Sequence, residues 1–212
     1  LQLYLGLDSS RFPNAIHYPV IRTELILSEP LQAALSSQSY FTHFIFTSKS
    51  SVRYWSEINA SNLDWIVCLK KAVTIAIGTA TASELQQLGV DPLICIKETQ
   101  EGVIELLEKI DLKNQYVFYP HSKKARSLLS DFLKAQRTPF FSLELYNTVI
   151  QKLEPIPSLA SIREIIFTSP STVEGFFDIF KGEPLENKKL NCIGPVTENA
   201  LAKILSYSNR SK

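Results

Sequence analysis

One duplicated phrase constrains this chain more than any other feature. Residues 44–52 read FIFTSKSSV and residues 165–173 read IIFTSPSTV. In each, a short apolar run meets Phe-Thr-Ser, then a polar step, then a valine. A second phrase follows each copy, IAIGTATASELQQLG from Ile75 and NCIGPVTENALAKIL from Asn191, and both reduce to Ile-Gly-x-x-Thr-x-x-x-Leu. Two motifs recurring in one order argue for two structurally related halves. The 212 residues sit near the border between one large domain and two small ones, and the repetition decides for two. With 45% hydrophobic and 20% charged residues, each half can bury an ordinary core.

Around the motifs, short β-prone runs alternate with amphipathic stretches. The pattern predicts strands at 1–7, 44–46, 73–77, 93–96, 116–119, 165–167 and 190–193. Helices are predicted over 31–37, 50–58, 82–88, 101–110, 123–135, 172–180 and 197–205. Such alternation implies parallel sheets with helices on both faces. Residues 17–27 and 140–150 are instead extended and half polar, and read as two paired ribbons crossing between the halves. Too few strands follow residue 150 for a sheet of its own, so the first strand is expected to complete it. The chain then starts in one domain, makes the whole second domain and returns. A cleft beside a double-stranded hinge is a usual place for a small-molecule site.

Charge and cysteines narrow the function classes. A net charge of +1 gives no general attraction to nucleic acid or anionic membrane. Cys68, Cys95 and Cys192 lie in apolar runs without CxxC spacing and read as buried thiols in a reducing compartment. His17, His43 and His121 lack HxxxH or HExxH spacing, so no metal site is expected. No apolar run reaches the roughly 18 to 20 residues that span a bilayer, and the first residues lack a basic-then-apolar signal. The expected location is the cytoplasm, or an organelle interior of similar redox poise. The chain has no Met, so Leu1 is not expected to be the translated start.

The repeated polar turns lie where a strand ends and a helix begins. In open parallel sheets ligands bind at that edge, because helix N–H groups and the helix dipole attract anions there. Each helix start adds about 0.3 to 1 kcal/mol for a nearby negative charge. Ser and Thr at such places are also the commonest N-caps, and that bland reading stands beside the functional one. Without a paired His or Asp these hydroxyls do not form a nucleophilic triad and suit hydrogen bonding to carboxylates. GxxxxGK[ST] and GxGxxG are both absent, against a sugar-phosphate or nucleotide enzyme. Lys123, Lys124 and Arg126 are expected to open a helix, either as a solvated face or as a rim for an acidic ligand. Tyr146, inside the second ribbon, is either a half-buried aromatic or a phenol able to give a proton.

Taken together, FTSKSSV, IGTATASELQQLG, ELYNT, IIFTSPSTV and CIGPVTENAL, in this order, resemble the uroporphyrinogen-III synthase family over nearly the whole chain. The resemblance implies an α/β fold of two flavodoxin-like parallel-sheet domains joined by a two-stranded ladder. Residues 1–19 with 151–212 would form the discontinuous first domain, 28–139 the inserted second, and 20–27 with 140–150 the linker. The implied reaction cyclises hydroxymethylbilane, a linear tetrapyrrole, with loss of water and inversion of the terminal ring. No cofactor or metal is implied, and a monomer is expected. By matching motif, Thr47, Ser48, Thr81, Ser122, Ser169, Lys189 and Thr197 would bind substrate, with Lys189 and Thr197 flanking the Ile-Gly-Pro turn. Tyr146 would assist departure of the hydroxyl.

The chain departs from the family pattern in three places. Leu7 and Asp8 stand where an Arg is frequent, with Arg11 the nearest substitute. Val196 replaces a threonine in Gly194-Pro195-Val196-Thr197. The segment Tyr119-Pro120-His121-Ser122 replaces an Arg-Gly, moving a carboxylate contact to Ser122 or Lys123. The rival reading is a non-catalytic two-domain sensor for a polyanionic ligand of tetrapyrrole type.

Overall fold

Chain contacts divide the molecule into two units, Leu1–Thr23 with the chain from Thr148 on, and Glu24–Asn147. The computed structural model describes residues 1–62 and 64–208. Its first elements are β1 (Gln2–Tyr4), β2 (Ile16–His17), β3 (Ile21–Leu25), α1 (Glu29–Ser37), β4 (His43–Phe46), α2 (Lys49–Ile58), α3 (Asp64–Lys71), β5 (Val73–Ala76) and α4 (Thr79–Gln87). There follow β6 (Leu93–Ile94), α5 (Gln100–Leu107), β7 (Val117–Ser122), α6 (Leu128–Ala135), β8 (Phe140–Ile150), β9 (Glu164–Phe167), α7 (Pro170–Ile179), β10 (Lys189–Cys192) and α8 (Pro195–Ser208).

In the unit Glu24–Asn147 the sheet order is β3-β8-β7-β4-β5-β6, and the β8, β7, β4, β5 and β6 neighbours are parallel. Every residue of β4 is buried, as a central parallel strand requires. Alternation sends its side chains to opposite faces. Phe44 and Phe46 join Val52, Trp55, Trp65, Leu69, Ala82 and Leu85 from α2, α3 and α4. Ile45 joins Val103, Leu107, Leu129 and Leu133 from α5 and α6. Helices therefore cover both faces.

Counted in chain order, the five parallel strands of this unit, β6-β5-β4-β7-β8, run 3-2-1-4-5. A flavodoxin order would be 2-1-3-4-5, so this sheet differs from the expectation. The reason is that β5 and β6 extend outward on one side of β4 before the chain returns through α5 to place β7 on the other. The other unit has order β10-β9-β1-β2, parallel throughout. In chain order that is 4-3-1-2, the flavodoxin pattern for four strands. Its core packs Leu3, Leu5, Ile165 and Phe167 against Val173, Phe176, Phe180 and Leu201 of α7 and α8.

The two ribbons are neighbours as β3 and β8. Ile26 N–H donates to the Leu145 carbonyl at 2.9 Å and Gln151 N–H to that of Val20 at 2.9 Å, so the pair runs antiparallel. Two elements differ from the sequence expectation. The expected helix 123–135 begins only at Leu128, because β8 holds β7 extended through Ser122 and Lys123 N–H donates to the Tyr146 carbonyl at 2.8 Å. Lys123, Lys124 and Arg126 therefore lie in the connection ahead of α6. Helix α3 was not expected; its β-branched run is helical because Trp65 and Leu69, one turn apart, both reach the core.

Among the thiols only Cys95 is buried, Cys68 and Cys192 being half-buried. Desolvation pushes the Cys95 thiol up to about 11. His43, at the start of β4, is 3% exposed. Its Nδ1 lies 2.9 Å from Thr42 Oγ1, and its Nε2 is buried without a partner. Burial lowers its pKa below the ordinary 6.5. The unfolded chain therefore takes up this proton first, so stability present above about pH 6.5 declines as pH falls toward the folded value, by up to about 1.4 kcal/mol per unit. A His43→Phe variant is expected to show a shallower stability loss than the parent between about pH 6.5 and 5 in urea titrations; equal slopes would contradict this.

Candidate functional site

Both Phe-Thr-Ser corners fold alike, at the ends of β4 and β9. Ser48 caps α2 with φ −165° and ψ 155°, its oxygen accepting from Ser51 N–H. Ser169 caps α7 with φ −161° and ψ 163°, accepting from Thr172 N–H in a reciprocal capping box. The bland reading of these serines thus holds, and it leaves Thr47 and Thr168 half-buried beside them. The Ile-Gly-x-x-Thr corners differ from each other. Gly78 is extended at φ −169°, whereas Gly194 takes the left-handed φ of 95°. Thr81 and Thr197 are buried at 3% exposure each, inside the first turns of α4 and α8 rather than ahead of them.

A carboxylate already occupies one helix start. Glu98 Oε1 accepts from Thr79 N–H and Thr79 Oγ1, both at 3.0 Å. The N-cap of α4 is glycine and supplies no side-chain cap, so a residue from beyond β6 fills the place. Sequence offered no signal for this pairing across 19 positions.

The corner at Thr47 and Ser48 lies at the point where chain order reverses, with β5 on one side of β4 and β7 on the other. The Tyr146 hydroxyl is 2.8 Å from Ser48 Oγ. Tyr146 is 6% exposed, more deeply placed than a half-exposed ribbon predicts. A bulge explains this: His121 pairs with Glu144 but Ser122 with Tyr146, so Leu145 is extra. Leu145 and Tyr146 can then both turn inward, as bulges re-aim side chains. Burial raises the Tyr146 phenol above its ordinary value, while Ser48 pulls the other way. At neutral pH it stays protonated, and either hydroxyl of the pair can be the donor.

On the other face of the sheet lies the Tyr119 phenol, buried in that core, where desolvation raises it above its ordinary value while Thr47 pulls the other way. Gln100 Nε2 reaches the same phenol at 3.1 Å and the Arg126 carbonyl at 3.3 Å. Arg126 grips Glu101 through both terminal nitrogens, at 2.6 and 2.8 Å, and holds that carboxyl at about 2. His121 stacks near Tyr119, with ring centroids 4.6 Å apart, and bonds Ser142 Oγ and the Ser122 carbonyl. Ser122 is the last residue of β7, and its Oγ accepts from Lys124 N–H at 3.2 Å.

The structure thus gathers Thr47, Ser48, Tyr146 and the end of β7 in one unit, with Ser169 and Thr197 at strand ends of the other. Lys189 stands apart. It opens β10, at the opposite edge of its sheet from the Ile-Gly-Pro turn, and pairs with Glu164 at 3.1 Å. Its place at the start of the strand, with the whole of β10 between it and the turn, prevents it from flanking that turn. Arg11 is exposed in the loop after β1. Sequence reasoning missed Tyr119, Gln100 and Glu98, and it missed the part Arg126 plays through its carbonyl. Among the described residues no cluster of His, Cys, Asp and Glu could hold a metal ion, and no helix is long and apolar enough to cross a membrane.

Hydroxyl-bearing corners at a topological switch point place this chain among the open parallel-sheet α/β proteins, a class in which ligands are met at the strand ends. Residues 9–204 match the model of the family described as uroporphyrinogen-III synthase HemD, and the chain belongs to that family. The porphyrin biosynthesis protein HemD of Ruminiclostridium josui is 26% identical over 197 residues, covering 89% of this chain and 39% of that protein. The chain thus spans about two fifths of the length of that curated relative. The solved uroporphyrinogen-III synthetase of Helicobacter pylori is 21% identical with a TM-score of 0.68, over 98% of this chain and 88% of that one. The wild-type uroporphyrinogen III synthase of the extremely thermophilic bacterium Thermus thermophilus is 22% identical with a TM-score of 0.57, over 95% and 87%. At those identities the likeness establishes the shared fold.

Proposed function

We propose that this chain converts hydroxymethylbilane to uroporphyrinogen III. The observation that carries the reading is the buried Tyr146 hydroxyl, 2.8 Å from Ser48 Oγ, inside a chain whose family match runs from residue 9 to 204. The Tyr146 phenol gives its proton to the hydroxyl of the hydroxymethyl group, at the end of the substrate opposite the ring that is inverted, so that it leaves as water, breaking the C–O bond and generating an azafulvene cation. The substituted carbon of the last ring attacks that cation, forming a spiro centre. This opens and recloses with the ring inverted, and the final loss of a ring proton restores the phenol. Folding one flexible substrate into one shape is mainly positional catalysis. Thr47, Ser48, Thr81, Ser122, Ser169 and Thr197 serve carboxylate recognition, Thr81 and Thr197 from buried positions and the others from the strand-end corners.

The reading takes residues 1–19 with 151–212 as one domain, 28–139 as the other, and 20–27 with 140–150 as the linker. It takes the active species as a cytoplasmic monomer without metal or cofactor. The test is isomer analysis after supplying fresh hydroxymethylbilane: type III product supports the enzyme, whereas spontaneous type I product alone supports a ligand-binding sensor.

A further inference from the structure

In the unit Glu24–Asn147, the end of the sheet where β7 and β8 begin carries a cavity that the proposed reaction does not use. It holds about 650 Å³ and is lined by the last turns of α5 and α6 and by the connections that lead into β7 and β8. Small-molecule sites have volumes of about 300 to 1,000 Å³. Leu107, Leu112 and Phe132 make part of the lining apolar, and Lys113, Arg137 and Thr138 bring polar groups to it.

Arg137 stands where stability alone would not place it. Helix α6 ends in a Schellman turn, with Arg137 N–H donating to the Lys134 carbonyl at 3.0 Å and Thr138 N–H to that of Leu133 at 3.0 Å. This turn needs a left-handed backbone at its centre, and Arg137 supplies it with φ 54°. Helix α4 ends in the same turn, Gly89 N–H on the Gln86 carbonyl and Val90 N–H on that of Leu85, but there the left-handed residue is a glycine with φ 71°. A Cβ in this conformation crowds the backbone, so arginine costs stability that glycine would not, and such outliers gather at functional sites. A cation does gain from a helix C-terminus, yet Lys134 already fills that role from inside the last turn. Among the described residues the Arg137 guanidinium has no ion pair and no hydrogen bond. Thr138 beside it is 6% exposed, and its hydroxyl is likewise without a partner among the described residues.

Charges of the other sign line the same cavity. They come from Glu108 and Asp111, and the carbonyl ends of α5 and α6 add partial negative charge. Asp111 Oδ1 accepts from Lys113 N–H at 2.9 Å, which fixes the connection between α5 and β7. Two carboxylates against two cations leave no net attraction for a polyanion. They suit a ligand that carries one charge of each sign, and the apolar part of the lining suits a hydrophobic body between those charges.

We propose that this cavity binds a small zwitterion with an apolar body, of the amino-acid type, its carboxylate taken by Arg137 and Thr138 and its ammonium by Glu108 and Asp111. The proposal is independent of the reaction assigned to the strand-end corners. Its test is calorimetric titration with L-tryptophan, with indole-3-propionate, which lacks the ammonium, and with tryptamine, which lacks the carboxylate. L-tryptophan is expected to bind one site with a Kd of about 1 mM or tighter, and each analogue about tenfold more weakly, the scale of one charge-assisted contact. Arg137→Gly is expected to weaken L-tryptophan at least about tenfold while raising the urea midpoint, because the turn gains its preferred residue. Thr138→Val should weaken binding about threefold or more with the midpoint little changed. Absence of L-tryptophan binding to the parent, equal affinity for all three compounds, or binding that survives Arg137→Gly would overturn the proposal. Displacement of L-tryptophan by uroporphyrin III, an octacarboxylate, would place the ligand elsewhere and overturn it too.

Discussion

Replacing Tyr146 with Phe is expected to lower kcat on hydroxymethylbilane about a hundredfold, the lower end of what a positioned general acid contributes. KM should hold within about threefold, because the ring stays in its core and only the reacting hydroxyl is lost. Burial raises the phenol above its ordinary value, so it remains protonated across the neutral range. The activity of the parent should therefore show no alkaline loss near about pH 8 attributable to this group. Ser48 Oγ, left facing a hydrogen where the phenol stood, still has Ser51 N–H at 3.1 Å, and α2 keeps its cap. Full turnover in the Phe variant would remove Tyr146 from the chemistry.

The largest stability effect is expected at Gly102. It lies in the first turn of α5, where a Cβ would collide with the Lys97 carbonyl oxygen and lie 2.9 Å from its carbon. Those are backbone atoms that no side-chain rotation can clear. Gly102→Ala is therefore expected to cost about 3 kcal/mol, toward the upper end for overpacking, and to displace the turn that presents Gln100 and Glu101. A lowered urea midpoint with an unchanged slope is the expected result. If Gly102→Ala is neutral, the close approach of Lys97 to α5 is wrong.

What the sequence showed most plainly was the chemistry of the corners. Phe-Thr-Ser recurs because an extended residue, a hydroxyl cap and a helix start are local demands, and Ser48 and Ser169 meet them with nearly the same backbone angles. The helix-opening role assigned to Lys123, Lys124 and Arg126 was misread because strand pairing with β8 is a long-range constraint that no local propensity records. The order of strands was equally hidden: the alternation that implies a parallel sheet does not say on which side of β4 the chain adds β5. Thr81 was expected just ahead of its helix because helix starts are read from sequence only to within a few residues. Glu98 and Gln100 carry no motif at all. They act through atoms brought together by folding, the one filling a helix start that glycine leaves uncapped, the other pinned by a carbonyl 26 residues away.

The most direct measurement separates the uroporphyrinogen isomers formed from freshly prepared hydroxymethylbilane over an interval in which a protein-free control closes spontaneously. The account predicts type III as the dominant product with the parent protein, and predominantly type I with the Tyr146→Phe variant under the same conditions. Type I product alone with the folded parent would contradict it.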